Sequence, residues 1–193
     1  MNLNFLKFLY FSFFFLIPFF SMSAQSPDFR YVGGLRIEKN DSVQQKELGK
    51  PFTKFSLENL NGKIVSEKDL FGKVTFMNFW FLACPPCIAE LEDLNNLFES
   101  FKDNSAFHFL SITFDPPESV KQSINKYNLT HPVYTTSKDQ CRKLNLNQSF
   151  PTTIIFDKKG NVRFVKTGGA IDKEGVVSQI DKIKQEILAL LSE

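Results

Sequence analysis

Residues 74–91 read Val-Thr-Phe-Met-Asn-Phe-Trp-Phe-Leu-Ala-Cys-Pro-Pro-Cys-Ile-Ala-Glu-Leu, and a change of pattern inside this stretch decides the fold. Val74 to Trp80 is a β-branched and aromatic run without helical period, which predicts a buried central strand. Beyond it, Ile88, Leu91, Leu94, Leu97, Phe98 and Phe101 recur at helical spacing, so the strand feeds an amphipathic helix. The switch falls at Cys84-Pro85-Pro86-Cys87. Two prolines suit the first turn of that helix, where a missing N–H costs least.

A cysteine pair at such a junction has a physical reason to be reactive. The helix N-terminus presents unpaired N–H groups and about half a positive charge, which favour thiolate over thiol. They can draw a cysteine pKa from about 8.5 into the range of about 3.5 to 7.5. Cys84, at that terminus, is the candidate nucleophile. Cys87, one turn inside, is suited to resolving a mixed disulfide. The same Cys-x-x-Cys spacing also serves zinc, but the further ligands on offer are only Cys141, His108 and His131, without paired spacing. A purely structural disulfide here would close almost no loop and add little stability.

Further along the chain, Phe107 to Phe114 predicts a second buried strand. Pro116-Pro117 with Glu118 opens a helix whose apolar face is Val120, Ile124 and Tyr127. A short run at Pro132 to Tyr134 and a short helix around Lys138 to Leu144 lead to Phe150-Pro151. The strand Thr152 to Asp157 then turns at Lys159-Gly160-Asn161 into Val162 to Lys166. Val176, Ile180, Ile183, Ile187, Leu190 and Leu191 stripe a last helix, with Asp172 as its N-cap. Upstream of the decisive stretch, Phe52 to Leu57 and Lys63 to Val65 alternate around Asn61-Gly62, a dipeptide suited to a two-residue hairpin turn. This order predicts a three-layer α/β sandwich: a central mixed sheet, helices on both faces and an N-terminal β-hairpin.

The first residues predict export. A lone Lys7 precedes the apolar run Phe8 to Phe20, interrupted by Pro18 and followed by the small residues Ser21, Ser23 and Ala24. That is the form of a signal peptide over residues 1–24, cut after Ser23 or Ala24. If uncut, it would instead anchor the protein to a membrane. No cysteine lies there to accept a lipid. Residues 25–48 form a polar extension in which Phe29 to Val32 and Leu35 to Glu38 flank Gly33-Gly34 as a hairpin would. The folded domain is expected over residues 49–193.

Eight of the 23 phenylalanines belong to the leader, so the remainder has the composition of an ordinary globular domain. The chain carries 23 Lys and Arg against 21 Asp and Glu. That balance gives no electrostatic footprint for nucleic acid. Three cysteines, two of them adjacent in one motif, point to chemistry at that pair and not to a disulfide framework. Cys141 has no partner in the sequence and is expected to be a buried packing thiol.

From about Gly49 to the C-terminus the chain resembles the exported thioredoxin-like proteins of the TlpA/ResA type, the branch that includes the CcmG-like reductants of cytochrome c maturation. The resemblance rests on Gly72-Lys73-Val74, Asn78-Phe79-Trp80, Cys84-Pro85-Pro86-Cys87 with Glu90, Phe150-Pro151-Thr152-Thr153, and Asp157 with Gly160. It implies a thiol:disulfide oxidoreductase with a redox-active disulfide between Cys84 and Cys87, acting as a monomer without a dissociable cofactor or metal. Its partners would be client proteins carrying disulfides and a thiol donor of the membrane or envelope. Its location would be the periplasm in a Gram-negative cell. The resemblance also implies a cis-proline at Pro151, with Phe150 offering main-chain hydrogen bonds to a client strand. Trp80, read with Phe79 and Phe81 as core or active-site rim, is set among the substrate-contacting residues, and Glu90 would handle a proton near Cys87.

Two positions depart from the pattern. Ala83 stands where the branch has Trp, removing an aromatic wall beside the nucleophile. Asn78 replaces the buried Asp of cytosolic thioredoxins. Two other readings remain open on sequence: a peroxiredoxin, which resembles a Thr-x-x-Cys pattern whereas position 81 is Phe81, and a metal- or haem-delivery module using the pair as ligands.

Overall fold

The structure is a computed structural model. It describes residues 46–193 throughout, and before them the backbone of two strands, β1 (Phe29–Val32) and β2 (Leu35–Glu38). These pair antiparallel, with Val32 opposite Leu35, in agreement with the hairpin read around Gly33-Gly34. The leader over residues 1–24, its cleavage point and residues 25–28, 33–34 and 39–45 of the extension lie outside the described residues.

Seven strands form the central sheet: β3 (Ser56–Asn59), β4 (Ile64–Ser66), β5 (Val74–Trp80), β6 (Phe107–Thr113), β7 (Val133–Thr135), β8 (Thr152–Phe156) and β9 (Val162–Thr167), in the order β4-β3-β7-β6-β5-β8-β9. The sheet is mixed, as expected. β5 runs parallel to β6 and antiparallel to β8, so it lies at the centre. All seven of its residues are buried. Each large apolar side chain so buried contributes about 1.5–3 kcal/mol. Successive residues point to opposite faces: Met77 and Phe79 join one core layer, Val74 and Phe76 the other.

Among the described residues, four α-helices cover the two faces. Helix α1 (Pro85–Phe101) and helix α4 (Lys173–Leu191) pack together over the Phe76 face, where Leu94, Leu97, Ile180, Ile183 and Ile187 meet Phe109 and Ile155. Helix α2 (Pro117–Tyr127) meets α1 through Val120 beside Trp80 and Leu91. It ends at Asn128 in the left-handed conformation, φ 49°. Helix α3 (Lys138–Leu144) covers the opposite face through Cys141 and Leu144. Asp172 caps α4, accepting from Gly175 N–H at 2.8 Å. The three-layer arrangement therefore holds.

The hairpin before β5 differs from its reading. Its connection spans Leu60–Lys63 and is not a two-residue turn: Asn59 Oδ1 accepts from the backbone N–H of Asn61 (3.0 Å) and of Lys63 (2.9 Å). With Gly62 N–H donating to Asn59 O at 3.0 Å, these Asx-type contacts make a four-residue connection that contains the Asn-Gly pair. Nor does the strand begin at Phe52. The ring of Phe52 packs edge-on against Phe156, centroids 4.7 Å apart, and Phe55 N–H donates to Glu67 Oε2 at 3.1 Å. Just before this segment, the backbone pairs with the start of β9: Val162 N–H donates to Lys50 O at 3.0 Å and Phe52 N–H to Gly160 O at 3.3 Å.

Candidate active site

The site is built where β5 stops and α1 starts. Leu82 N–H donates to Asp115 Oδ2 at 2.7 Å and Cys84 N–H donates to Phe81 O at 3.1 Å, which turns the chain out of the sheet. Cys84 is the N-cap of α1, and Pro85 and Pro86 occupy its first positions. Cys84 Sγ accepts from Cys87 N–H at 3.3 Å, so the sulfur sits on the unpaired amides of the helix start. Cys84 and Cys87 form a disulfide, Cα atoms 5.3 Å apart. Both cysteines pack with Trp80 and Leu91; Cys84, 4% exposed, lines a surface groove, and Cys87, 1% exposed, does not.

Across from the disulfide runs the loop into β8, where the Phe150–Pro151 peptide is cis. Pro151 O accepts from Gly168 N–H at 2.8 Å, which ties this loop to the one leaving β9. Gly168 has φ +81°, and Gly169 beyond it is packed without room for a side chain. A β-carbon on Gly169 would lie 2.9 Å from Pro151 Cγ and 3.2 Å from Pro86 Cβ. No reading of the sequence singled out this Gly-Gly pair, whose second glycine is the contact surface between the two proline-bearing segments.

Glu90 lies one turn beyond Cys87 on the same side of α1 and is 5% exposed. Burial pushes its carboxyl up to about 7, against the smaller opposing effect of the Lys166 ammonium. With its amide turned to suit its neighbours, Gln179 donates to Glu90 Oε1 at 3.1 Å and accepts from Ala170 N–H at 2.9 Å. Lys166 Nζ donates to Gly168 O at 3.3 Å. Lys166 and Gln179, from β9 and α4, therefore belong to the surroundings of the site, and neither had a sequence signal.

Trp80 must be corrected. It does not stand on a substrate-contacting surface: it is 0% exposed, and its indole Nε1–H donates to Ser111 Oγ at 2.7 Å. A β5 residue enclosed by α1 and α2 forms the floor under the cysteines. The aromatic wall lost at Ala83 is supplied by other residues. Phe81 stacks on Phe114 at 5.2 Å, and Phe150 meets both edge-on at 5.3 and 5.6 Å. These three half-buried rings border the groove of about 730 Å³ that opens beside Cys84.

Cys141 is apart from this chemistry. It is 0% exposed in the core, and burial, aided by the Asp115 carboxylate, pushes its thiol up to about 12. His131 is also buried, its Nδ1 2.8 Å from Asn95 Oδ1. Asn95 Nδ2 donates to Asn128 O, so Oδ1 accepts and His131 Nδ1 carries the hydrogen. Asn78 Nδ2 donates to Thr153 Oγ1 at 3.3 Å, linking β5 to β8 beneath the cis-proline loop. Among the described residues no three His, Cys, Asp or Glu side chains are grouped to hold a metal ion.

A Cys-x-x-Cys disulfide at a strand–helix junction, facing a cis-proline in a mixed sheet covered on both faces, defines a thioredoxin-fold thiol:disulfide oxidoreductase. Comparison with known proteins agrees. The AhpC/TSA family is matched over residues 48–165. The thiol-disulfide oxidoreductase ResA of Bacillus cereus is 30% identical over 141 residues, covering 72% of this chain and 80% of that protein. ResA of Geobacillus kaustophilus is 30% identical over 130 residues, covering 67% and 74%. Among solved structures, a thioredoxin-family thiol:disulfide interchange protein of Chlorobium tepidum superposes with a TM-score of 0.57 at 26% identity, covering 70% of this chain and 96% of that one. The chain belongs to the AhpC/TSA family and is a ResA-like thiol-disulfide oxidoreductase.

Proposed function

We propose that this protein reduces disulfide bonds in client proteins outside the cytoplasm, with Cys84 as nucleophile and Cys87 as resolving cysteine. The observation that carries the reading is the asymmetry of the pair: Cys84 caps α1 on the groove, and Cys87 is enclosed one turn inside. In the reduced protein the Cys84 thiolate attacks one sulfur of a client disulfide, and the other client sulfur leaves as thiolate. Cys87 gives up its proton and attacks Cys84 Sγ, which breaks the mixed disulfide and releases the second client thiolate. Two electrons pass to the client, and the protein is left with its Cys84–Cys87 disulfide. A dithiol donor of the membrane or envelope returns those electrons.

Glu90 is the proposed acceptor of the Cys87 proton. It lies one turn along the same helix, and a carboxyl held near 7 by burial can take up and release a proton under ordinary conditions. Phe150, beside the cis Pro151, is proposed to offer its main chain to the client by strand addition. The catalytic domain is assigned to residues 49–193, behind a leader over 1–24 and an extension over 25–48. Cytochrome c maturation and general envelope redox homeostasis are the two settings that suit such a reductant.

The test uses purified protein and insulin as the disulfide substrate. Cys87→Ser should accumulate a covalent adduct through Cys84, seen by mass spectrometry and released by dithiothreitol. Cys84→Ser should accumulate none. Equal trapping by both variants, or by neither, rules out the assignment of roles. Rapid turnover of hydrogen peroxide by the wild-type protein would point instead to a thiol peroxidase.

A further inference from the structure

The groove beside Cys84 is also lined by two basic residues whose charge is not answered by a carboxylate among the described residues. Lys138 and Arg142 lie one turn apart on α3, hence on one side of that helix, and both border the groove and are exposed. Lys138 Nζ stands 5.7 Å from the centre of the Phe114 ring. Elsewhere, Lys102, Lys121 and Lys173 each meet a carboxylate, at 2.6, 2.9 and 3.0 Å. Among the described residues neither Lys138 nor Arg142 has a carboxylate within 4 Å. The acid that borders the groove, Asp115, is committed to the chain itself. Its Oδ2 accepts from Leu82 N–H and from Thr113 Oγ1, both at 2.7 Å.

The groove thus joins an apolar surface, the rings of Phe81, Phe114 and Phe150, to two cations that border it beside them. A client segment has to cross it to bring its disulfide to Cys84. Building on the proposed reductase reading, we propose that the groove selects client segments in which an acidic residue, next to an apolar one, flanks the cysteine to be reduced. Exposed charges at the edge of a binding site act mainly on encounter and on discrimination between partners, and salt weakens them. The preference should therefore appear in the second-order rate and fade with ionic strength.

Three synthetic peptides test this. Each carries one cysteine disulfide-bonded to mercaptoethanol with Phe beside it, and they differ only in having Glu, Gln or Lys at the other flank. With reduced wild-type protein at low salt, kcat/KM should fall about tenfold from the Glu to the Lys peptide, with Gln between, and the spread should shrink in 0.5 M salt. In the doubly substituted Lys138→Glu, Arg142→Glu protein the order of the three should reverse, a ranking that does not depend on that variant's overall activity. Equal rates on all three, while bis(2-hydroxyethyl) disulfide is reduced normally, overturn the acidic preference and leave the reductase reading standing. No reduction of that neutral disulfide by the wild-type protein removes both.

Discussion

Gly169 is pressed against Glu90: a β-carbon at that glycine would lie 2.8 Å from Glu90 Oε1. The two residues are far apart in sequence, one after β9 and one in α1, and the absence of a side chain at the first lets the second stay buried. A methyl group at Gly169 also meets Pro151 and Pro86, so the loop, the carboxyl or the helix start must shift. Overpacking of this kind costs about 1–3 kcal/mol. Gly169→Ala is expected to lower the urea midpoint and to slow disulfide exchange. Gly168→Ala, strained by φ +81° but with nothing within 4 Å, should lose stability and keep most of the exchange rate. Unaltered exchange in Gly169→Ala would separate the glycine from the site.

Glu90 makes stability fall as pH rises. Its carboxyl sits near 7 in the folded protein against an ordinary 4.5, so the folded state keeps a proton that the unfolded state has lost. The folded state is therefore destabilised progressively from about pH 4.5, and the loss is complete above about pH 7. A shift of this size corresponds to about 3 kcal/mol. Urea unfolding of the oxidised protein at pH 5 and pH 8 should show this as a difference between proteins: from pH 5 to pH 8 wild type should lose stability relative to Glu90→Gln, a comparison from which the histidines common to both drop out. A variant with the wild-type pH profile would exclude Glu90 as the source.

His108 and His131 work in the opposite direction. Burial lowers both imidazoles to about 4 from an ordinary 6.5, with nearby lysines adding to the effect at His108. Their stability contribution is present above about pH 6.5 and is lost as pH falls through 6.5 towards 4, because only the unfolded chain takes up those protons readily. In an NMR titration neither ring should protonate above pH 5. A midpoint above 6 for either would contradict its burial.

Cys141 should be silent in the native state. With no exposed surface and a thiol pushed up to about 12, it forms almost no thiolate at pH 8. Brief iodoacetamide treatment of the reduced protein should modify Cys84 and leave Cys141 untouched until denaturant is added. Cys141→Ala is expected to cost stability through lost packing and to leave insulin reduction intact. Modification of Cys141 in folded protein would restore it as a third redox thiol.

The order of strands and helices was legible because its signals are local. The unbroken apolar run of β5, the helical spacing from Ile88 to Phe101 and the Asp172 cap each lie within a few turns of chain. All three reappear at or within a residue of their predicted places. The hairpin before β5 has a longer connection than read because a side chain, Asn59, accepts from two backbone N–H groups within the loop, those of Asn61 and Lys63. Trp80 was misjudged for a related reason. Its position at the end of the strand was correct, but its exposure depended on α1 and α2 closing over it, and alternation along β5 says nothing about how far a layer extends.

What the sequence alone determined is the reactive junction itself: a buried strand, two cysteines at the start of a helix, and Glu90 one turn beyond. Strand period, helix period and the position of a helix N-terminus follow from the backbone geometry of neighbouring residues. Only the tertiary structure decided what surrounds that junction: Gly169 beneath Glu90, Pro151 across from the disulfide, the three phenylalanines in place of a tryptophan at Ala83, and the cations of α3 bordering the groove. These groups come from α3 and from the loops after β5, before β8, and after β6 and β9. They meet only when the central sheet assembles, and no periodicity along the chain records which of its loops will share an end of that sheet.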